Sequence, residues 1–153
     1  MSSFILMAVI LLRLPIFFEV NWRENLIQIF IVHKLKGIPL FHDTFRQIDA
    51  QKGAVSEDLV AGGMVGITTM LKEISQSTEE VKIIDHGDLK ILLEHGPDIF
   101  TALIVKSEMF IYWDKLARLQ KTFEKVFGNL ILSWDGNLAY FEPLKNIIND
   151  EFQ

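Results

Sequence analysis

The chain contains no cysteine, which removes disulfide scaffolds, thiolate zinc centres, iron–sulfur clusters and cysteine nucleophiles at once and is compatible with a reducing interior. Positive charge is not in excess either: Lys and Arg number 15 against 20 Asp and Glu, a formal net charge of -5. Proteins that grip phosphate backbones normally carry a basic excess or a basic stripe, so a nucleic-acid partner is not expected. No apolar run is long enough to span a bilayer. The longest, Phe4 to Leu12, holds nine residues and is followed by Arg13 and Pro15, whereas a spanning helix needs about 20. The G-x-S-x-G pattern of a serine nucleophile is absent, as is a phosphate loop, because Gly62, Gly63 and Gly66 are not followed by Gly-Lys-Ser/Thr.

What remains is a single domain. Half of the 153 residues are hydrophobic, enough for one core and too many for a disordered chain. The division expected is an apolar N-terminal extension over 1–21 and a folded domain over 22–153. The extension lacks a preceding Lys or Arg and a clear cleavage site, so it makes a poor secretory signal. It reads first as an added element packed on the domain or an upstream extension without a role in the fold, then as a membrane-surface anchor, with signal-like processing as the remaining reading.

Leu26 to Val32 is short and rich in isoleucine, which suits a largely buried strand. His33 to Gly37 supplies a turn, and Ile38 to Phe45 returns as a second strand with Pro39 near its start. After a polar connection over Arg46 to Val55, Ser56 stands as a helix N-cap with Glu57 and Asp58 in the first turn. Val60, Met64, Ile67, Leu71 and Ile74 then follow at spacings of four, three, four and three, predicting one buried helix face. Val81 to Asp85, Leu89 to Glu94 and Ile99 to Ser107 read as a three-stranded meander, divided by Gly87-Asp88 and Gly96-Pro97-Asp98. Trp113, Leu116, Gln120, Phe123 and Phe127 fall on one side of a second helix, in which Gly128 is expected to mark a bend or a junction. A turn at Trp134 to Asn137 leads to a last short helix after Pro143 carrying Leu144, Ile147, Ile148 and Phe152. The predicted class is α/β of the α+β kind, a single five-stranded, mostly antiparallel sheet with helices on both faces.

This order, together with the run NLIQIFIVHKLKGIPLFHDTF, resembles the longin domain and its relative the roadblock domain, in which a strand, a lysine-glycine turn and a second strand open the fold. The resemblance covers Leu26 to Phe152, and the apolar segment before Asn21 departs from a longin that begins at its first strand. It implies a non-enzymatic, dimerising platform without a cofactor. Its implied partners are a second copy or a paralogous longin or roadblock subunit, together with small Ras-like GTPases or vesicle-trafficking-like complexes, in the cytoplasm or at the cytoplasmic face of a membrane. A membrane-surface sensor or adaptor held by the N-terminal segment is the alternative, and an enzyme whose pocket the sequence does not reveal is the third reading.

The first helix adds a physical argument. Each interior glycine costs about 1 kcal/mol relative to alanine, so Gly62, Gly63 and Gly66 cost roughly 3 kcal/mol together, and some close contact should offset that. Gly63 is expected in the core stripe, and Gly62 and Gly66 on a flanking strip with Leu59 and Met70. Three readings stand: the glycines fit the helix onto its own sheet, they let another backbone approach, or they make the helix flexible or kinked. On the second, the partner interface comprises Leu59, Gly62, Gly66, Met70, Glu73, Val81 and Ile83. Lys115, Arg118, Lys121 and Lys125 form a basic run on the second helix, a solvated face by default and a contact for an acidic partner or lipid otherwise. Phe110, Tyr112 and Trp113 read as core rather than as a ligand surface. His33, His42, His86 and His95 lack the short spacing of a helix-borne metal site, and Asp85-His86-Gly87-Asp88 is ordinary hairpin chemistry.

Overall fold

The computed structural model describes residues 21–46 and 56–153. Apart from Asn21 and Arg46, the expected N-terminal extension and the polar connection before Ser56 lie outside the described residues. Five strands form one sheet: β1 (Leu26–His33), β2 (Ile38–Thr44), β3 (Ile83–His86), β4 (Leu89–His95) and β5 (Ile99–Val105). The sheet order is β2-β1-β5-β4-β3 and every pairing is antiparallel. Among the described residues three α-helices accompany the sheet: α1 (Glu57–Ser75), α2 (Phe110–Leu132) and α3 (Leu144–Phe152).

β1 and β5 are apolar at nearly every position because both faces of the sheet are covered at its centre. In β5, Ile99, Leu103 and Val105 pack toward α2 and α3, and Phe100, Ala102 and Ile104 pack toward α1, the period-two alternation of a doubly buried strand. β1 departs from that alternation once. Leu26 pairs with Val105 and Gln28 with Ile104, so Ile27 is an extra residue that shifts the parity. Consequently Leu26, Ile29 and Ile31 join the core under α2 and α3, while Ile27, Phe30 and Val32 join the smaller core under α1.

The larger core is closed by Tyr112, Leu116, Leu119, Phe123, Phe127 and Ile131 of α2, with Leu144, Ile148 and Phe152 of α3. Phe123, Phe127, Phe141 and Trp134 form an aromatic cluster beneath them. The Tyr112 hydroxyl donates to the Trp22 carbonyl at 2.5 Å, and burial pushes that phenol up to about 12, so it stays protonated and donating. α2 passes through Gly128 without a break, contrary to the bend expected there, because the following turns still bury Ile131.

α1 lies on the other face, rotated from the orientation predicted by spacing. Ala61, Met64 and Thr68 are its buried residues, whereas Ile67, Leu71 and Ile74 are exposed. The stripe read from the sequence was not the contact stripe, because this helix is apolar on several sides and small residues allow the closer approach to the sheet. Ser56 precedes the helix but makes no side-chain cap; Glu57 in the first turn instead meets Nδ1 of His42 at 2.8 Å.

Candidate functional site

From Leu59 to Leu71, α1 carries no charged residue. At about 100° per residue, Leu59, Gly62, Gly66, Met70 and Glu73 form a strip facing away from Ala61, Met64 and Thr68. All five are exposed, with Leu59 at 69% and Met70 at 52%, and Ile67, Leu71 and Ile74 widen the strip on one side. A helix run from Leu59 to Leu71 with no charge on the side turned to water, broken only by Glu73 beyond its end, is unusual for a surface element, since the outer face is normally the polar one.

The glycines belong to this outer side. A Cβ added at Gly62, Gly63 or Gly66 meets nothing within 4 Å. The lack of a side chain at Gly63 and Gly66 is therefore not what fits the helix onto its own sheet, and Gly63 lies outside the core stripe. One close approach involves the backbone alone: a Cβ on Gly37 would come within 3.8 Å of the Gly62 Cα, and Gly37 has a φ of +62° in the turn between β1 and β2.

Val81 and Ile83 do not extend the strip. Val81 is half-buried against the core under α1. Ile83 pairs with Leu92, whose side chain belongs to the core under α2, so Ile83 points to the opposite face of the sheet. The interface read from the sequence therefore comes together over the five helix positions and divides at β3.

A charged cluster ties the α1–β3 connection down. Glu80 lies 3.0 Å from Nζ of Lys72, 3.6 Å from Nζ of Lys34 and 3.5 Å from Nδ1 of His95. Nε2 of His95 donates to the Val81 carbonyl at 2.7 Å. That bond fixes the proton on Nε2, so in the neutral ring Nδ1 carries a lone pair, and it has no hydrogen-bond partner. Burial, and then the charge of Lys34 and Lys72, hold the His95 imidazole below its ordinary value, against the Val81 bond and Glu80. Burial alone would raise the Glu80 carboxyl, but the Lys72 hydrogen bond with the neighbouring cations brings it below its ordinary value. These four residues come from four separate places in the sequence, the β1–β2 turn, α1, the connection after it and the end of β4, and no local motif marks them.

The basic run on α2 is partly neutralised within the fold. Arg118 donates from Nε and Nη2 to Oε1 of Glu151, and Lys115 donates to the Glu151 carbonyl at 2.6 Å while lying over the Trp22 ring. Lys121 and Lys125 are exposed. Of the aromatic group, Tyr112 is buried, Trp113 is half-buried and Phe110 is 82% exposed, so the expected core placement fails at Phe110, which starts the helix on its outer side. His33 is buried, and Asp85 of the β3–β4 hairpin faces Lys90 at 3.4 Å. No described helix is long and apolar enough to cross a membrane.

A cleft of about 730 Å³ opens beside β3, walled by Lys82, Ile83, Glu94, Glu108 and Trp113. Nε1 of Trp113 donates to Oε1 of Glu108 at 3.0 Å. Sequence reading missed this cleft because Glu94, alternating with apolar neighbours, looks like any outward strand residue.

No protein-family model matches the chain, and a search of curated proteins finds no match.

Proposed function

We propose that this protein is a non-enzymatic interaction module of the longin and roadblock kind, which pairs with a second copy or a paralogous subunit through the outer face of α1. The pair would serve as a platform for small Ras-like GTPases or trafficking-like complexes at a cytoplasmic location. The single observation that carries the reading is the stretch of outer α1 face from Leu59 to Met70, which carries no charge before Glu73 at its end, with Gly62, Gly63 and Gly66 open to solvent among exposed Leu59, Ile67 and Met70. Glycines that cost about 1 kcal/mol each in a helix, and whose missing side chains would meet nothing of their own chain within 4 Å, are accounted for by a partner backbone approaching there. The order of strands and helices on which the resemblance rests is also the order of the fold.

A membrane surface is the second reading, since a bilayer also accepts an uncharged face. Interfacial helices usually add Lys or Arg beside the apolar side, and the one lysine of α1, Lys72, is engaged by Glu80. A protein partner therefore fits this face better. Flotation with anionic liposomes, with and without residues 1–21, separates the two.

The test is light scattering on the full chain and on a Gly62→Leu/Gly66→Leu variant. A wild-type particle of twice the chain mass, reduced to a single chain in a variant that keeps its circular dichroism, supports pairing through α1. A variant that pairs as the wild type does rules out that surface. Capture of the GTPases encoded by the same cell, on immobilised wild type and variant, then tests the partner class.

A further inference from the structure

β3 ends the sheet on the side away from β2, and its register leaves one row of backbone groups turned outward. The Leu93 amide donates to the Lys82 carbonyl, and Ile83 stands opposite Leu92. Antiparallel alternation then directs the amides and carbonyls of Lys82, Ile84 and His86 toward β4, and those of Ile83 and Asp85 away from the sheet. Among the described residues no strand covers them. The cleft beside Ile83 holds Glu79, Glu94 and Glu108 against one cation, Lys82; Glu80, which also borders it, is already matched by Lys34 and Lys72. The Glu94 side chain makes no hydrogen bond or ion pair among the described residues, although the residue is half-buried. Trp113, its indole N–H committed to Glu108, supplies an aromatic wall.

We propose that this edge docks an extended cationic segment of a partner protein, which adds a strand beside β3 and sets an arginine or lysine among Glu94, Glu108 and Trp113. Strand addition satisfies the outward groups of Ile83 and Asp85, and alternation of side chains brings every second residue of the added strand to the cleft side of the sheet. There a guanidinium meets carboxylates and an aromatic face, both of which favour it. Charge selects this occupant over a second copy, because a symmetric edge-to-edge pairing would bring acidic cleft toward acidic cleft. β3 is only four residues long, so the cleft supplies the specificity. The site lies apart from the outer strip of α1 and does not depend on pairing there.

The probe is a short peptide of alternating threonine and arginine, with glutamine replacing arginine in the control, added to isotope-labelled full-length protein. The expected result is that NMR shifts and slowed amide exchange centre on Ile83 and Asp85, that the Trp113 indole resonance moves, and that the control binds about ten-fold more weakly or worse. Glu94→Gln with Glu108→Gln should abolish the preference for arginine while leaving the oligomeric mass unchanged. Asp85→Pro, which removes an outward N–H without touching the ladder to β4, should weaken both peptides. Equal binding of the two peptides, shifts centred on α1, an arginine preference that survives the double substitution, or no shift at millimolar peptide would each overturn the proposal.

Discussion

The carboxamide of Gln120 lies against Gly96, so close that a Cβ on Gly96 would overlap its nitrogen. Gly96 sits in the turn between β4 and β5, where its amide donates to the Ile99 carbonyl at 2.8 Å, and Gln120 is the buried polar residue of α2 above it. The contact sets how closely α2 crosses the sheet. Gly96→Ala should therefore destabilise the fold by about 1–3 kcal/mol, the usual range for overpacking. Gln120→Ala in the same chain should restore part of the loss, since it removes the overlapping carboxamide, whose Oε1 has no partner, and forfeits only the Nε2 hydrogen bond to Glu124. Urea denaturation of the four members of this cycle measures the coupling, and additive losses would show that the two residues do not constrain each other.

The open glycines of α1 give the opposite sign. Gly62→Ala adds a methyl group where nothing lies within 4 Å, and alanine is favoured over glycine by about 1 kcal/mol in a helix interior. The isolated chain should become more stable by about that amount, as judged by urea denaturation at concentrations where light scattering reports one chain. A loss of stability instead would mean that the glycine is needed within its own subunit.

The contrast between these glycines explains what the sequence could reveal. Gly96 was legible as a turn residue beside Pro97 and Asp98, and the meander it divides is the one observed. The limits of β1, β2 and α3 were legible for the same reason: apolar runs end at glycine, proline or polar clusters. The side of α1 that faces the sheet was not legible. Val60, Met64, Ile67, Leu71 and Ile74 form a valid helical stripe, but Ala61, Met64 and Thr68 form another, and only the sheet decides between them. The cluster of Lys34, Lys72, Glu80 and His95 was invisible because cross-strand and helix–turn proximity leaves no spacing to read. The separation of Ile83 from the α1 strip was not legible either, because Val81 precedes the strand and the sheet alternation that turns Ile83 to the side of Leu92 begins only at Ile83.

His95 and His33 make the fold sensitive to mild acid. Burial lowers both imidazoles; Lys34 and Lys72 add to this at His95, and Lys36 adds to it at His33. A lowered value means that the unfolded chain binds the proton more readily, so stability is full above 6.5 and falls as pH drops through 6.5 toward the folded values. Glu80 extends the loss to lower pH, because its stabilisation holds above 4.5 and disappears as pH falls through its lower folded value. The urea midpoint should thus decline steadily below neutrality. His95→Gln, which keeps a donor for the Val81 carbonyl without a titrating ring, should flatten the first part of that decline. An unchanged slope between pH 7 and pH 5 would remove His95 from the account.

Glu94 behaves in the reverse sense, and its sign separates stability from binding. Burial raises its carboxyl, with Lys82 opposing, so Glu94 stabilises the fold below 4.5 and loses that contribution as pH rises through its folded value. Glu94→Gln should therefore raise the melting temperature at neutral pH and leave it nearly unchanged in acid, where the native carboxyl is also neutral. The same substitution should weaken capture of an arginine peptide at β3. A half-buried carboxylate without a partner is a cost that folding alone does not recover, whereas an incoming cation does. If Glu94→Gln instead lowered the melting temperature at neutral pH, the carboxylate would have a partner within the chain, and the cleft would lose the uncompensated charge that draws a cation to it.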